Sequence, residues 1–320
     1  MKRVILTGGT GFVGANLTRR LLHEGHEINL LARSDYTAWR IKDIAADVRI
    51  HIADLRSKEA VEAIVARIQP DWIFHLAVHG AYSWQTDIYD ILETNLLGTI
   101  NLVEACLKVG FETLVNTGSS SEYGFKEHAP SEQEWLDPNS YYAVMKAAGT
   151  MFCRFIARRD NVPIPTLRLY SVYGPYEEPQ RLIPALVVNG LRGQLPPLVN
   201  PNVARDFVYV DDVCDAYLLA ATQQKADPGA IYNVGSGVQT SLDKIVDIAR
   251  QLFSIESIPE WGSMPSRDWD TTAWVANIDY IQQSLRWQPR TSLRDGLSHT
   301  ASWLQSHPDL HRFYQEQLLS

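Results

Sequence analysis

The first fourteen residues constrain the fold more than any other stretch. Val4-Ile5-Leu6 is an unbroken apolar run, as suits a strand buried on both faces of a parallel sheet. It leads directly into Thr7-Gly8-Gly9-Thr10-Gly11-Phe12-Val13-Gly14, and a helical pattern follows over 16–24, ending at Gly25. Glycines at 8, 11 and 14 lack the side chains that would hold backbone away from a pyrophosphate. The helix behind them offers N–H donors and a favourable dipole to an anion. Gly8, Thr10, Gly11, Phe12, Val13 and Gly14 are therefore expected to bind a dinucleotide.

A second strand, Glu27–Ala32, completes a βαβ unit. The rhythm continues with strands at 48–52, 72–76, 113–117 and 165–169, and helices at Lys58–Ile68, 88–109 and 142–158. Such alternation implies an α/β fold, a Rossmann-type doubly wound parallel sheet. From residue 173 prolines punctuate short apolar stretches, with helices at 182–191, at 213–222 and from 241, and a strand at Ile231–Val234. The expected organisation is a dinucleotide-binding domain over 1–172, rejoined by 207–235. A smaller, interrupted C-terminal domain over 173–320 would close a substrate cleft against the sheet.

Composition excludes more than it identifies. A formal charge of −8 argues against nucleic acid as a partner. The three cysteines are widely spaced and odd in number, matching neither a disulfide framework nor a metal-site spacing. No apolar run approaches the ~18 residues of a membrane span, and too few residues precede the first strand for a signal peptide. A cytoplasmic protein with no membrane partner and no metal is expected.

The end of the second strand reads the dinucleotide. An acid there would bond the 2′-hydroxyl of NAD, but the stretch is Ala32-Arg33-Ser34. Arg33 and Ser34 suit a 2′-phosphate, which favours NADP(H). Asp35 keeps NAD open. Asp54, before Leu55, is placed to accept from an adenine amino group or to cap the next helix. Leu76 and Ala77 end the fourth strand, where small residues let backbone border the dinucleotide, whereas His75 reads as core packing.

Tyr142 and Lys146 lie four residues apart, on one face of a helix and about 5–6 Å apart at Cβ. A nearby ammonium favours phenolate and would lower the tyrosine pKa from about 10, making the hydroxyl a usable general acid/base.

With Gly8–Gly14, Thr117–Gly124, Tyr142 and Lys146 in order, the chain resembles the extended short-chain dehydrogenase/reductase family. Within it, the chain looks like the nucleotide-sugar epimerases, dehydratases and 4-ketoreductases. The resemblance runs from residue 1 to about 290, through Asp54-Leu55-Arg56, Asn95, Arg168–Pro175, Arg205–Asp212 and Tyr232–Gly235. It implies Tyr142 as acid/base, Lys146 on the nicotinamide ribose, and Ser119 bonding the reacting oxygen. It also places Asn95 and Tyr170 near the cofactor, and His79, Ser120, Ser171, Arg205 and Arg267 near a nucleotide-diphosphate sugar. By the same resemblance Tyr82 and Trp84 border the hexose, and helices 88–109 and 142–158 form a homodimer interface.

Departures narrow the reaction. Dehydratases of the family carry an Asp-Glu pair where this chain has Ser120 and Ser121, with Glu122 displaced by one residue. A loop shift could bring Glu122 into the site. Ser171 stands where many relatives carry asparagine. The favoured expectation is NADPH-dependent reduction of a nucleotide-linked 4-keto-6-deoxy sugar, with hydride arriving at C4. The alternative is an NAD-retaining 4-epimerase; a 4,6-dehydratase and a non-catalytic cofactor-sensing protein rank lower.

Overall fold

The computed structural model describes residues 1–319 other than 83, 224–226 and 265–270. The N-terminal run forms β1 (Arg3–Thr7), followed by α1 (Phe12–His23), β2 (Glu27–Ala32), β3 (Arg49–Ile52), α2 (Lys58–Ile68) and β4 (Trp72–His75). Next come α3 (Ile88–Leu92), α4 (Gly98–Val109), β5 (Thr113–Ser119), α5 (Tyr141–Asp160) and β6 (Thr166–Leu169). The remainder comprises β7 (Ser171–Tyr173), α6 (Leu182–Gly190), β8 (Ala204–Tyr209), α7 (Val210–Thr222), β9 (Ile231–Val234) and β10 (Gln239–Ser241). Four helices close the chain: α8 (Leu242–Phe253), α9 (Asp279–Leu285), α10 (Leu293–Ser306) and α11 (Pro308–Leu319).

Seven parallel strands make one sheet in the order β3-β2-β1-β4-β5-β6-β9. The order reverses between β1 and β4, so a crevice opens beyond Thr7 and His75, which pair in register. Apolar layers cover both faces: Leu17, Leu21, Val213 and Tyr217 belong to one, and Val61, Leu102, Cys153 and Ile156 to the other. A third cluster, including Leu186, Val246, Leu297 and Leu304, forms the core of the smaller lobe.

Two features depart from the sequence reading. Of the stretch 207–235, α7 packs on the large sheet and β9 joins it, but Phe207–Tyr209 lies in β8. That strand pairs with β7 and β10 in a separate three-stranded sheet. The single helix expected at 88–109 is two helices joined by a π-helical turn, Glu93–Leu97. Asp87 starts it by accepting from the N–H groups of Tyr89 and Asp90. The wide turn leaves Asn95 buried toward the crevice side of β4.

Candidate active site

The glycine loop is built for close approach. A Cβ on Gly8 would lie 2.6 Å from the Leu76 carbonyl carbon, and one on Gly14 would collide with the Gly8 carbonyl. Gly8 also holds φ +72°, which side-chain-bearing residues rarely adopt. The N-cap of α1 is Gly11, no side chain caps it, and the first turn carries no acid. Those N–H groups and the helix dipole stand ready for an anion, so the loop fits a dinucleotide pyrophosphate.

Behind the loop, the Thr7 hydroxyl accepts from the Ala77 N–H at 3.2 Å and bonds the His75 Nδ1 at 2.7 Å. His75 Nε2 bonds the Thr99 hydroxyl at 2.8 Å, and burial pushes the imidazole down to about 3, so it is a neutral structural link. Asn95 clamps the next loop: its Oδ1 accepts from the His79 N–H at 2.8 Å and its Nδ2 donates to the His79 carbonyl at 2.7 Å. The asparagine thus holds the backbone of the loop after β4, and the His79 side chain is half-buried.

Beyond the end of β2 the two rival candidate readers of the 2′ position are bound to each other. Arg33 Nε lies 3.2 Å from Asp35 Oδ1, and Arg33 and Ser34 are both exposed. Asp54 accepts from the Arg56 N–H at 2.9 Å and from its guanidinium, which holds the carboxyl below its usual range. The helix-cap alternative for Asp54 is incorrect, because Ser57 caps α2. Leu55 is buried, and its carbonyl accepts from Asn101 Nδ2 at 2.8 Å.

The candidate reactive residues lie near the C-terminal end of β5. Ser119 ends that strand and begins a short 3-10 turn, Ser120–Tyr123, with its Oγ accepting from the Ser121 N–H at 3.2 Å. Tyr142 lies in the first turn of α5, whose cap, Ser140, accepts from the Ala143 N–H at 3.2 Å. The Ser119 side chain is close enough to the Tyr142 phenol to influence its ionisation, so the two predicted hydroxyls are neighbours. Lys146, one turn on, is buried and donates its Nζ to the Thr117 carbonyl.

The electrostatics correct one expectation. The spacing of Tyr142 and Lys146 predicts a depressed phenol, yet burial pushes Tyr142 up from its ordinary value. The neighbouring Ser119 hydroxyl and the Arg181 charge pull it partly back, while the Glu122 charge pushes it further up. Burial also lowers Lys146, whose ammonium is engaged by a backbone carbonyl. Desolvation outweighs the neighbouring charge for both groups.

Glu122 is not a loose acid near the site. It is fully buried, with Oε2 at 2.8 Å from Arg168 Nε and Oε1 accepting from the Ser119 N–H (2.8 Å) and the Thr150 hydroxyl (2.9 Å). Arg168 also donates to the Tyr123 hydroxyl at 2.8 Å. This buried pair therefore serves as the bracket beneath Ser119, and the loop shift considered above does not occur.

The remaining candidates scatter. Ser120 and Tyr170 line a small cavity with Tyr123, Lys126, His128 and Trp274. The buried Tyr170 hydroxyl has no hydrogen-bond partner among the described residues. Ser171 begins β7, and Arg205 stacks over Trp274 at 5.7 Å while donating to the Ala204 carbonyl. Arg267 lies outside the described residues. The sequence reading did not single out Arg181, the N-cap residue of α6, whose Nη2 donates to the Ala81 carbonyl at 3.0 Å.

Beneath Arg181, Glu177 is buried with Oε2 unpartnered among the described residues, and burial pushes its carboxyl up to about 8 against the pull of Arg181 and Arg40. Unfolded, it would ionise near ~4.3. The folded chain therefore retains a proton that the unfolded chain releases as pH rises from about 4 to 8, and stability falls across that window. Glu177→Gln is expected to be neutral at pH 4 and stabilising by about 2 kcal/mol at pH 8, as read by urea titrations at both pH values. Equal loss of stability at both would contradict the assignment.

Comparison with known proteins agrees with this geometry. A family model described as the NAD dependent epimerase/dehydratase family matches residues 4–235. A Bacillus subtilis (strain 168) protein described as an uncharacterized UDP-glucose epimerase, YtcB, is 28% identical over 95% of this chain and 98% of its own. The Thermus thermophilus UDP-glucose 4-epimerase in complex with NAD superposes with a TM-score of 0.83 at 27% identity, covering 95% of this chain and 99% of that one. MoeE5 in complex with UDP-glucose and NAD gives a TM-score of 0.82 at 29% identity, covering 95% and 98%.

Proposed function

The chain belongs to the NAD-dependent epimerase/dehydratase family, and from that premise we propose that it is an NAD-retaining 4-epimerase of nucleotide-diphosphate hexoses. The observation that carries this reading is the confinement of Glu122. Dehydration needs a base to strip a carbon-bound proton, and the carboxylate nearest the catalytic serine in sequence is held by Arg168, Thr150 and the Ser119 N–H. Near that serine stands the Tyr142 phenol, suited to moving one proton on and off one oxygen.

Epimerisation is favoured over reduction by the nucleotide end of the crevice. Arg33 lies 3.2 Å from Asp35 in an exposed ion pair, so a 2′-phosphate would meet a carboxylate beside the guanidinium, whereas a 2′-hydroxyl could donate to that carboxylate. The relatives solved with NAD support the same choice, and those named for UDP-glucose support a UDP-hexose as substrate.

Gly8–Gly14, Leu76, Ala77 and Lys146 would hold the cofactor, which when bound supplies a hydride acceptor that also serves as donor. Tyr142 takes the proton from the sugar O4 as the C4–H bond breaks and returns it when the opposite face is reduced. Ser119 donates to that oxygen while charge develops on it. The reaction has no net redox change, so one active Tyr142 serves both directions.

Exposed apolar side chains on α5 (Val144, Met151 and Phe155), with Leu97 on the helix packed beside it, support a homodimer through this face. Among the described residues no helix is long and apolar enough to cross a membrane.

Acid extraction of the purified protein followed by mass spectrometry tests the reading. NAD retained near one per chain, with UDP-glucose and its C4 epimer interconverting without added cofactor, is the expected result. Empty protein that consumes NADPH stoichiometrically with a 4-keto sugar would replace it with the reductase.

A further inference from the structure

We propose that Arg40 is a positioning residue for the cofactor: through it, the segment 174–178 and the C-terminal helix α11 hold the loop after β2 where the adenosine half of a dinucleotide binds. The inference concerns dinucleotide binding alone and is independent of which sugar reaction follows.

The loop after β2 has little of its own to hold it. In a sheet of this topology the end of β2 faces the ribose of the adenosine half. Arg33, Ser34, Asp35, Thr37 and Ala38 are all exposed. Inside the loop, the Tyr36 N–H donates to the Arg33 carbonyl at 3.3 Å and the Ile41 N–H to the Ala38 carbonyl at 3.0 Å. Trp39 and Arg40 close it, and both are fixed by residues far along the chain.

Arg40 is 6% exposed. Its Nε donates to the Tyr176 carbonyl at 2.8 Å, its Nη2 meets Glu178 Oε2 at 2.9 Å, and its guanidinium lies over the Trp39 ring at 4.1 Å. The rigid fork of a guanidinium holds two such acceptors in one geometry. The Arg40 carbonyl accepts in turn from Arg19 Nη2 at 2.7 Å, which ties the loop to α1. Trp39 packs on α11, with its ring centroid 5.0 Å from Phe313 and 5.9 Å from Tyr314.

The segment that Arg40 grips runs from β7 to α6, and three successive carbonyls in it are held by three different elements. Pro175 accepts from Asn16 Nδ2 of α1 at 2.9 Å, Tyr176 from Arg40, and Glu177 from the Tyr314 hydroxyl of α11 at 2.5 Å. Tyr176 sits at φ +68°, a conformation that a bulky side chain keeps only where its surroundings impose it. Arg19, with its guanidinium 3.9 Å from the Tyr176 ring centroid, and Trp303, at 4.7 Å between centroids, complete those surroundings. One short segment thus joins the helix behind the glycine loop, the loop after β2 and the end of the chain. Arg40 is the link that reaches the cofactor loop.

The test is a calorimetric titration of the full-length chain, freed of nucleotide, with NAD and with ADP-ribose, which keeps the adenosine half and lacks nicotinamide. Arg40→Met is expected to raise Kd for both ligands about 10- to 100-fold, since a loop in its binding-competent position only about 1–10% of the time binds that much more weakly. Arg40→Lys should recover part of the loss. Tyr314→Phe removes one hydroxyl, keeps the ring, and should raise both values about 3- to 10-fold. Val246→Ala serves as the control: it thins the core of the smaller lobe away from the clasp, so it should lower the urea midpoint and leave both Kd values within about twofold. The proposal is overturned if Kd in Arg40→Met stays within about twofold of wild type, if NAD weakens and ADP-ribose does not, or if Val246→Ala weakens binding as much. Should Arg40→Met fail to fold, unchanged Kd values in Tyr314→Phe overturn it equally.

Discussion

Tyr142→Phe is expected to lower kcat by about 10²–10⁴-fold, the range a positioned acid/base supplies. The substitution removes one hydroxyl and keeps the ring, so the first turn of α5 and its cap at Ser140 should persist. Ser119, the phenol's neighbour, accepts from the Ser121 N–H, so the loss leaves the serine anchored. NAD content and urea midpoint should therefore change little, while kcat and kcat/KM fall together, the mark of an interaction made in the transition state. The pH profile adds a sign. Burial raises the wild-type phenol above its usual value of about 10, so the proton-accepting form grows as pH rises and the rate should climb toward alkaline pH. Tyr142→Phe should lose that climb. Less than a tenfold loss of rate, or an unchanged pH slope, would remove Tyr142 from the chemistry.

Arg168→Met should cost about 3–5 kcal/mol of stability, the usual consequence of stranding one partner of a buried ion pair. Arg168 and Glu122 are 1% and 0% exposed, so water cannot replace the lost guanidinium. Two further donors to Glu122, Thr150 and the Ser119 N–H, would remain but could not neutralise it. The double variant Arg168→Met/Glu122→Gln removes the stranded charge and should recover much of the loss, a coupling that a double-mutant cycle in urea measures. Because Glu122 positions the Ser119 backbone, the single variant should also lose activity at temperatures where it remains folded. A single variant within about 1 kcal/mol of wild type would show that the pair does not hold the loop.

How far each feature is legible in the sequence follows its range along the chain. Gly8, Gly11 and Gly14 are legible because a tight turn and a helix start are local, and their close approach to Leu76 follows from the switch point between β1 and β4. Tyr142 and Ser119 are readable as separate motifs, and only the adjacency of β5 and α5 joins them. The behaviour of Lys146 is not legible, since its orientation depends on the Thr117 carbonyl 29 residues away. Glu122 looks like a displaced acid until Arg168, 46 residues on, claims it. Arg33 and Asp35 stand as rival signals for two cofactors, and side-chain geometry makes them partners. Arg181 lacks any motif, and the carbonyl it donates to, Ala81 in the loop after β4, lies 100 residues earlier. Spacing encodes backbone geometry well, and it says little about which charges pair across the fold.

The central claim is that one proton-transfer pair and one retained hydride account for the reaction. The most direct measurement follows a UDP-hexose carrying deuterium at C4, incubated with the purified protein and analysed by NMR. Full retention of the label at C4 in both epimers, with no added nicotinamide consumed, is the expected result. Label lost from C4, or a parallel run in deuterated water placing solvent deuterium at C5, would contradict it.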